Sequence, residues 1–141
     1  LLENIKLNNI TNIIPFNCAV SQNSSKVKIF LNDDQSSHSM FIPNSESIEV
    51  PSISVHDIFK ENEIKKCDLL KLDCEGAEYD IIKSIELEHF EFINKIAIEY
   101  HFADSKPDLL EELIKKLKKS FNQITTRELF SDIGFLFAKR K

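Results

Sequence analysis

Glycine is scarce in this chain of 141 residues, which contains only Gly76 and Gly134. A loop that cradles phosphate groups needs several glycines, and the turn that carries a nucleophilic serine in many hydrolases has the pattern G-x-S-x-G, which is absent. The sequence therefore argues against both a phosphate-binding loop and a serine-nucleophile site.

Disulfide patterns, long apolar runs and an excess of positive charge are also absent. The three cysteines, Cys18, Cys67 and Cys74, show no C-x-x-C spacing, so neither a disulfide framework nor a structural zinc site is indicated. No apolar run approaches the roughly 18 residues of a membrane span. The net charge of −5 does not favour nucleic acid, and the lysines within residues 115–119 have the spacing of a solvated helix face. We expect a soluble, cytoplasmic protein that binds neither nucleic acid nor membranes.

The most informative stretch is residues 67–82, CDLLKLDCEGAEYDII. The leucines at positions 69, 70 and 72 form a near-continuous apolar run, which is typical of a strand buried on both faces of a parallel sheet. Ala77, Ile81 and Ile85 then recur at helical spacing. The stretch predicts a strand, a sharp turn and a helix.

Two pairs of ionisable residues lie at the ends of apolar strands. Asp73 and Glu75 follow the first strand, and Glu99 and His101 end a second one at residues 95–101. Members of each pair are two residues apart, so their side chains tend to lie on the same side of the strand. If the strands are neighbours, the four groups converge at the carboxyl edge, where open α/β sheets bind ligands. Such a cluster could supply a general base or hold a cation.

Structural roles are the alternative for these acidic residues. Glu75 and Glu78 would favour the positive amino terminus of the next helix, and Gly76 would allow a tight turn. Three carboxylates and one imidazole would suit magnesium, manganese or iron better than a thiolate zinc site. The spacing is not diagnostic, and we expect no resident metal. Ordinary structural positions are expected for the other histidines, His38, His56 and His89.

The remaining elements alternate in an α/β pattern within one domain. The N-terminal part should contain a helix tail at 1–9, a strand at 13–20 that Pro15 places at a sheet edge, and paired strands at 26–31 and 48–50. A helix at 55–62, capped by Ser54, should follow. The C-terminal part should contain a helix from Pro107 to Phe121, capped by Ser105, and a hairpin of residues 122–126 and 134–139 with a seven-residue connection. Residues 32–47 are rich in turn formers and predict a mobile loop, either a substrate lid or a plain surface excursion.

A family resemblance rests on these same residues. DLLKLDCEGAEYDII, preceded by VPSISVHDIF and followed by KIAIEYH, resembles the FkbM family of S-adenosylmethionine-dependent methyltransferases. The D-x-E-G-A-E core, the strand before it, the upstream valine-proline and the downstream I-E-x-H occur in the family's order. The resemblance covers essentially the whole chain. His56 departs from the aspartate that is usual at that position.

The resemblance implies a Rossmann-like class I methyltransferase fold with the strand order three, two, one, four, five, seven, six and an antiparallel last strand. Residues 13–20 correspond to strand three, 69–73 to strand four, 95–101 to strand five, and the C-terminal hairpin to strands six and seven. The family's glycine-rich loop and strands one and two would precede Leu1, which is not a methionine. The chain, residues 1–141, is then a single partial domain whose open sheet edge could pair in a homo-oligomer.

The resemblance also implies a site and a function. S-adenosylmethionine would be the cofactor, and the residues beside its adenine would be Asn17, Cys18 and Ala19. The catalytic, methyl-transfer edge would consist of Asp73, Glu75, Glu99 and His101. The expected reaction is O-methylation of a hydroxyl on a sugar, a polyketide or another small molecule, with His101 or Asp73 as the base. We expect this chain alone to be inactive. A metal-dependent hydrolase using the same four residues and a non-catalytic interaction module are the alternatives.

Overall fold

The computed structural model describes residues 1–31 and 46–140. The loop expected at 32–47, with His38, lies outside the described residues except for its last two positions. The elements in chain order are α1 (Leu2–Leu7), β1 (Ala19–Val20), β2 (Ser25–Phe30), β3 (Ser47–Ile53), α2 (Val55–Glu61), β4 (Leu70–Asp73), α3 (Glu78–Ser84), α4 (Leu87–Phe90), β5 (Lys95–Tyr100), α5 (Pro107–Leu117), β6 (Gln123–Phe130) and β7 (Ile133–Lys139). The chain is an α/β protein with two mixed sheets.

The larger sheet has four strands in the order β4-β5-β7-β6. Strands β4 and β5 are parallel, and β7 is antiparallel to both of its neighbours. This order agrees with the predicted sequence four, five, seven, six for this half of the sheet. The β4–β5 register pairs Asp73 with Glu99, so the two predicted strand ends are neighbours.

The smaller sheet has the order β1-β3-β2 and is separate from the larger one. Strand β2 is antiparallel to β3, as predicted for residues 26–31 and 48–50, and β1 is parallel to β3. The strand predicted at 13–20 is confirmed only for Ala19 and Val20. The prediction is wrong for residues 13–18, where Ile14 and Phe16 are exposed, because apolar residues form a strand only where a neighbouring strand can pair with them. The described residues therefore do not form one continuous parallel sheet.

One face of the larger sheet carries most of the core. Ile96 and Ile98 of β5 are buried against the apolar sides of α3 and α5, which contribute Ile81 and Leu117. The prediction that β4 is buried on both faces is wrong, because Leu72 is buried whereas Leu69 is 55% exposed. Among the described residues β4 has a strand neighbour on one side only, and Leu69 lies on the uncovered face.

Helix α5 and the hairpin depart from prediction at their ends. The prediction that Ser105 caps α5 is wrong. The residue at the cap position is Lys106, which makes no side-chain hydrogen bond to the helix. The Ser105 amide instead donates to Asp132 Oδ1 at 2.8 Å. The helix ends at Leu117, before the predicted Phe121. The hairpin turn has two residues instead of seven, because β6 continues to Phe130 although most of its side chains are exposed.

The short helices are fixed by local contacts. Helix α1 agrees with the predicted N-terminal helix, and α2 begins after Ser54, whose hydroxyl oxygen accepts from the Asp57 amide as predicted. His56 of α2 and His89 of α4 approach to 3.0 Å between Nδ1 and Nε2, which ties these two helices together. Within residues 1–31 and 46–140, every helix is too short or too polar to cross a lipid bilayer.

Candidate active site

The carboxyl ends of β4 and β5 bring the predicted site residues together. Ligand atoms of Asp73, Glu99 and His101 all lie within 4.8 Å of one another. Glu75 joins them, because its Oε2 lies 3.6 Å from His101 Nε2. The parallel pairing of the two strands produces this convergence, which the two-residue spacing within each pair predicted.

The turn after β4 is tight and left-handed. Glu75 has φ 50° and Gly76 has φ 103°, and at Gly76 the absence of a side chain removes the steric cost of this conformation. The Ala77 amide donates to the Cys74 carbonyl at 3.1 Å, which closes the turn. The chain therefore reverses within a few residues, and Glu75 stays at the strand end while α3 starts at Glu78.

Glu78 is the centre of the site's buried hydrogen-bond network. Its side chain is 0% exposed. Oε1 accepts from the His101 amide at 2.8 Å and contacts His101 Nδ1 at 3.2 Å, while Oε2 accepts from the Gly76 amide at 2.8 Å. The interpretation of Glu78 as a group that only favours a helix terminus is wrong, because this carboxylate joins the turn after β4 to the end of β5.

His101 is held in one orientation by its neighbours. It is 5% exposed, and its carbonyl accepts from the hydroxyl of Tyr79, whose pKa burial raises so that it stays protonated. Since a carboxylate only accepts, the contact with Glu78 assigns the proton to Nδ1. The other ring nitrogen, Nε2, lies 3.6 Å from Glu75 Oε2.

The electrostatics of His101 follow from this arrangement. The hydrogen bond with Glu78 raises the pKa of His101 above its ordinary value, and the negative charges of Glu78, Glu75 and Glu99 act in the same direction. Burial opposes the rise, because it disfavours the charged imidazolium. The effect of the carboxylates exceeds that of burial, so the pKa of His101 is raised.

Two neighbours of Asp73 modify the rim of the site. Lys71 Nζ lies 3.0 Å from Asp73 Oδ2, and both side chains are largely open to solvent. Such an exposed pair contributes little stability and exchanges readily with other partners. Cys74 is half-buried, and burial raises the pKa of its thiol, which disfavours a thiolate at this edge.

The residues predicted beside the cofactor lie at the smaller sheet, where Asn17 and Cys18 precede β1 and Ala19 is its first residue. Asn17 is exposed, and Cys18 and Ala19 are half-buried at the start of β1. Neither glycine of the sequence is near them in the chain, since Gly76 follows β4 and Gly134 is in β7. Of the groups expected to hold S-adenosylmethionine, the chain contains residues 17–19, predicted to lie beside the adenine, but no glycine-rich loop.

Glu78 is the functional residue that sequence reasoning missed. The helical spacing indicated its burial. Ile81, Ile82 and Ile85 follow Glu78 by three, four and seven residues, so all four side chains lie on one helix face. All four are buried. A carboxylate on an apolar helix stripe needs buried hydrogen-bond donors, and the amides of Gly76 and His101 provide them.

Comparison with known proteins adds a family and two relatives. Residues 2–127 match the family model described as the Methyltransferase FkbM domain. The chain is 40% identical over 45 residues to Methyltransferase 1 of Beauveria bassiana (strain ARSEF 2860), a match that covers 32% of this chain and 17% of that protein. It is 39% identical over 36 residues to Methyltransferase sdnD of Sordaria araneosa, covering 26% of this chain and 14% of the relative. No solved structure matches the chain.

Proposed function

The chain belongs to the FkbM methyltransferase family, and we propose that it is the acceptor-binding part of an S-adenosylmethionine-dependent O-methyltransferase. The proposed acceptor is a hydroxyl of a small molecule such as a sugar or a polyketide, methylated in the cytoplasm. Both relatives are named methyltransferases. This membership favours methyl transfer over the alternatives of a metal-dependent hydrolase and a non-catalytic interaction module.

The observation that carries the proposal is the cluster of Asp73, Glu99 and His101 at the carboxyl ends of two parallel strands. S-adenosylmethionine, when bound, supplies a methyl group on a positively charged sulfur. The chain's own task is to hold the acceptor oxygen and to assist the loss of its proton. Polar side chains at this edge can bind a hydroxyl, and His101 is kept in a fixed orientation by Glu78.

The test is methyl transfer by the full-length protein with single substitutions at the edge. Asp73→Ala and His101→Ala should lower kcat by about 10²–10⁴, the usual contribution of a group that assists proton transfer. Because His101 is buried, His101→Gln is tested as well, and circular dichroism with urea unfolding verifies that each variant is folded.

Asp68→Ala is the matched control, since Asp68 lies just before β4 at the opposite end of the strand and is exposed. This variant should keep its turnover. Wild-type turnover in folded Asp73→Ala and His101→Gln would refute the assignment of this edge to the acceptor.

A further inference from the structure

We propose that Asp73, Glu99 and His101 bind one divalent metal cation of the Mn²⁺ and Mg²⁺ class, and that this cation holds the acceptor oxygen. The first half of the proposal concerns binding by the chain itself. The second half rests on the methyl transfer proposed above.

The geometry provides three ligand groups on one side of a small space. Asp73 and Glu99 are register partners on parallel strands, and one ligand atom from each of the three side chains lies within 4.8 Å of the others. Bonds of about 2.0–2.2 Å to a common cation require only a modest closure of this cluster. Asp73 can provide it, because its ion pair with Lys71 is exposed to solvent. Three protein ligands leave coordination positions for water or for an acceptor oxygen.

The orientation of His101 is an independent observation that points to a cation. Imidazoles that bind metals almost always donate their other ring N–H to a carboxylate or carbonyl, which fixes the tautomer and raises the basicity of the ligand nitrogen. His101 is nearly buried, and its Nδ1 contacts the fully buried Glu78 at 3.2 Å. The second nitrogen, Nε2, lies 3.6 Å from Glu75 Oε2, and one ring nitrogen of His101 is among the three ligand atoms that lie within 4.8 Å of one another.

Charge and donor type indicate which cation fits. Asp73, Glu75 and Glu99 place three carboxylates around one imidazole, with Lys71 as the basic side chain paired to Asp73. Hard oxygen donors with one imidazole suit Mg²⁺ or Mn²⁺, whereas structural zinc prefers thiolates. An acceptor hydroxyl bound to the cation would be more acidic and would lose its proton to water, so Asp73 and His101 would assist this loss through the cation they hold.

The binding test uses Mn²⁺ as the probe and the full-length protein after treatment with a chelator. Electron paramagnetic resonance of free Mn²⁺ gives the bound fraction. We expect the wild-type protein to bind one Mn²⁺ per chain. Asp73→Asn and Glu99→Gln should each weaken Mn²⁺ binding at least about tenfold. Glu78→Gln should weaken it about 10–100-fold, the usual effect of losing the group that hydrogen-bonds a metal-binding histidine. Asp68→Asn, at the other end of β4, should bind as the wild type does. Folded protein without bound Mn²⁺ at millimolar concentration, or Asp73→Asn and Glu99→Gln with wild-type affinity, would overturn the site.

A second measurement separates this proposal from the proposed function. Methyl transfer is followed in chelator-treated protein before and after Mn²⁺ is added, and restoration of activity by Mn²⁺ supports both halves. If the protein binds Mn²⁺ but shows no methyl transfer, the result supports the cation site and counts against the assignment as a methyltransferase. Full transfer in the chelator-treated protein overturns the role of the cation and leaves the transferase assignment standing.

Discussion

Replacing Glu78 with glutamine should lower the free energy of unfolding by about 2–4 kcal/mol. The carboxylate accepts from two buried amides, those of Gly76 and His101, and also contacts His101 Nδ1. Glutamine has the same shape but only one acceptor oxygen, and its NH₂ group only donates. In either orientation of the amide, the NH₂ group therefore faces one of the two backbone N–H groups.

The magnitude follows from the groups that lose their partners. A hydrogen bond to a charged acceptor contributes about 1.5–3 kcal/mol, and a buried donor left without an acceptor costs about 1–3 kcal/mol. At least one such bond is lost, and Glu78 is fully buried, so bulk water does not reach the donor that loses its acceptor. Partial relaxation of the turn at Gly76 reduces the sum, which gives the range of about 2–4 kcal/mol.

Urea unfolding followed by circular dichroism measures this difference, with linear extrapolation to water. Glu111→Gln is the control, because Glu111 is an exposed carboxylate in α5, and it should change stability by no more than about 0.5 kcal/mol. If Glu78→Gln shifted the unfolding free energy as little as the control does, the buried network would not be holding the turn to β5.

Three other results are expected. This chain alone should bind S-adenosylmethionine weakly or not at all, and micromolar binding in calorimetric titration would contradict that. Gly134→Ala should lower the free energy of unfolding by about 1–3 kcal/mol, because an added Cβ would clash with the ring of Tyr100 and lie 2.7 Å from the Arg127 carbonyl oxygen. A wild-type midpoint in urea unfolding would refute this. The amides of Ser105 and Asp104 hold the pKa of Asp132 below its ordinary value of 3.8, so its contribution to stability is present above about pH 4 and is lost as the pH falls through the lowered pKa. Asp132→Asn should remove that part of the acid dependence, and an unchanged pH profile of unfolding would show that the two amides do not depend on the charge.

The edge that carries Asp73, Glu99 and His101 was predictable because two short-range sequence patterns determine it. Apolar runs ending in D-x-E and E-x-H place charged groups at the carboxyl ends of two strands, and the helical pattern between them favours a parallel crossover. The pairing of Asp73 with Glu99 then follows from the adjacency of β4 and β5. The role of Glu78 was not found, because an acidic residue near a helix amino terminus has a sufficient electrostatic explanation and its burial depends on the position of β5.

The errors elsewhere have a common physical cause. Residues 13–18 have strand-like composition but lack a partner strand among the described residues, while β6 has polar, largely exposed side chains and forms a full strand because β7 pairs with it. Leu69 is apolar and still 55% exposed; it precedes β4, which has a strand neighbour on one side only among the described residues. Composition reports whether a segment can be buried, whereas pairing and burial depend on which neighbours are present.

Four contacts that shape the edge carrying Asp73, Glu99 and His101 lie within residues 71–101. Glu78 joins Gly76 to His101, the strands align Asp73 with Glu99, and Tyr79 fixes the His101 carbonyl. None of these contacts uses β1 or residues 17–19, where the resemblance places the adenine. Binding of Mn²⁺ and binding of S-adenosylmethionine should therefore separate in this chain: the cation should bind where the cofactor does not. The opposite result, cofactor binding without Mn²⁺ binding, would mean that the edge is not assembled by its own local contacts.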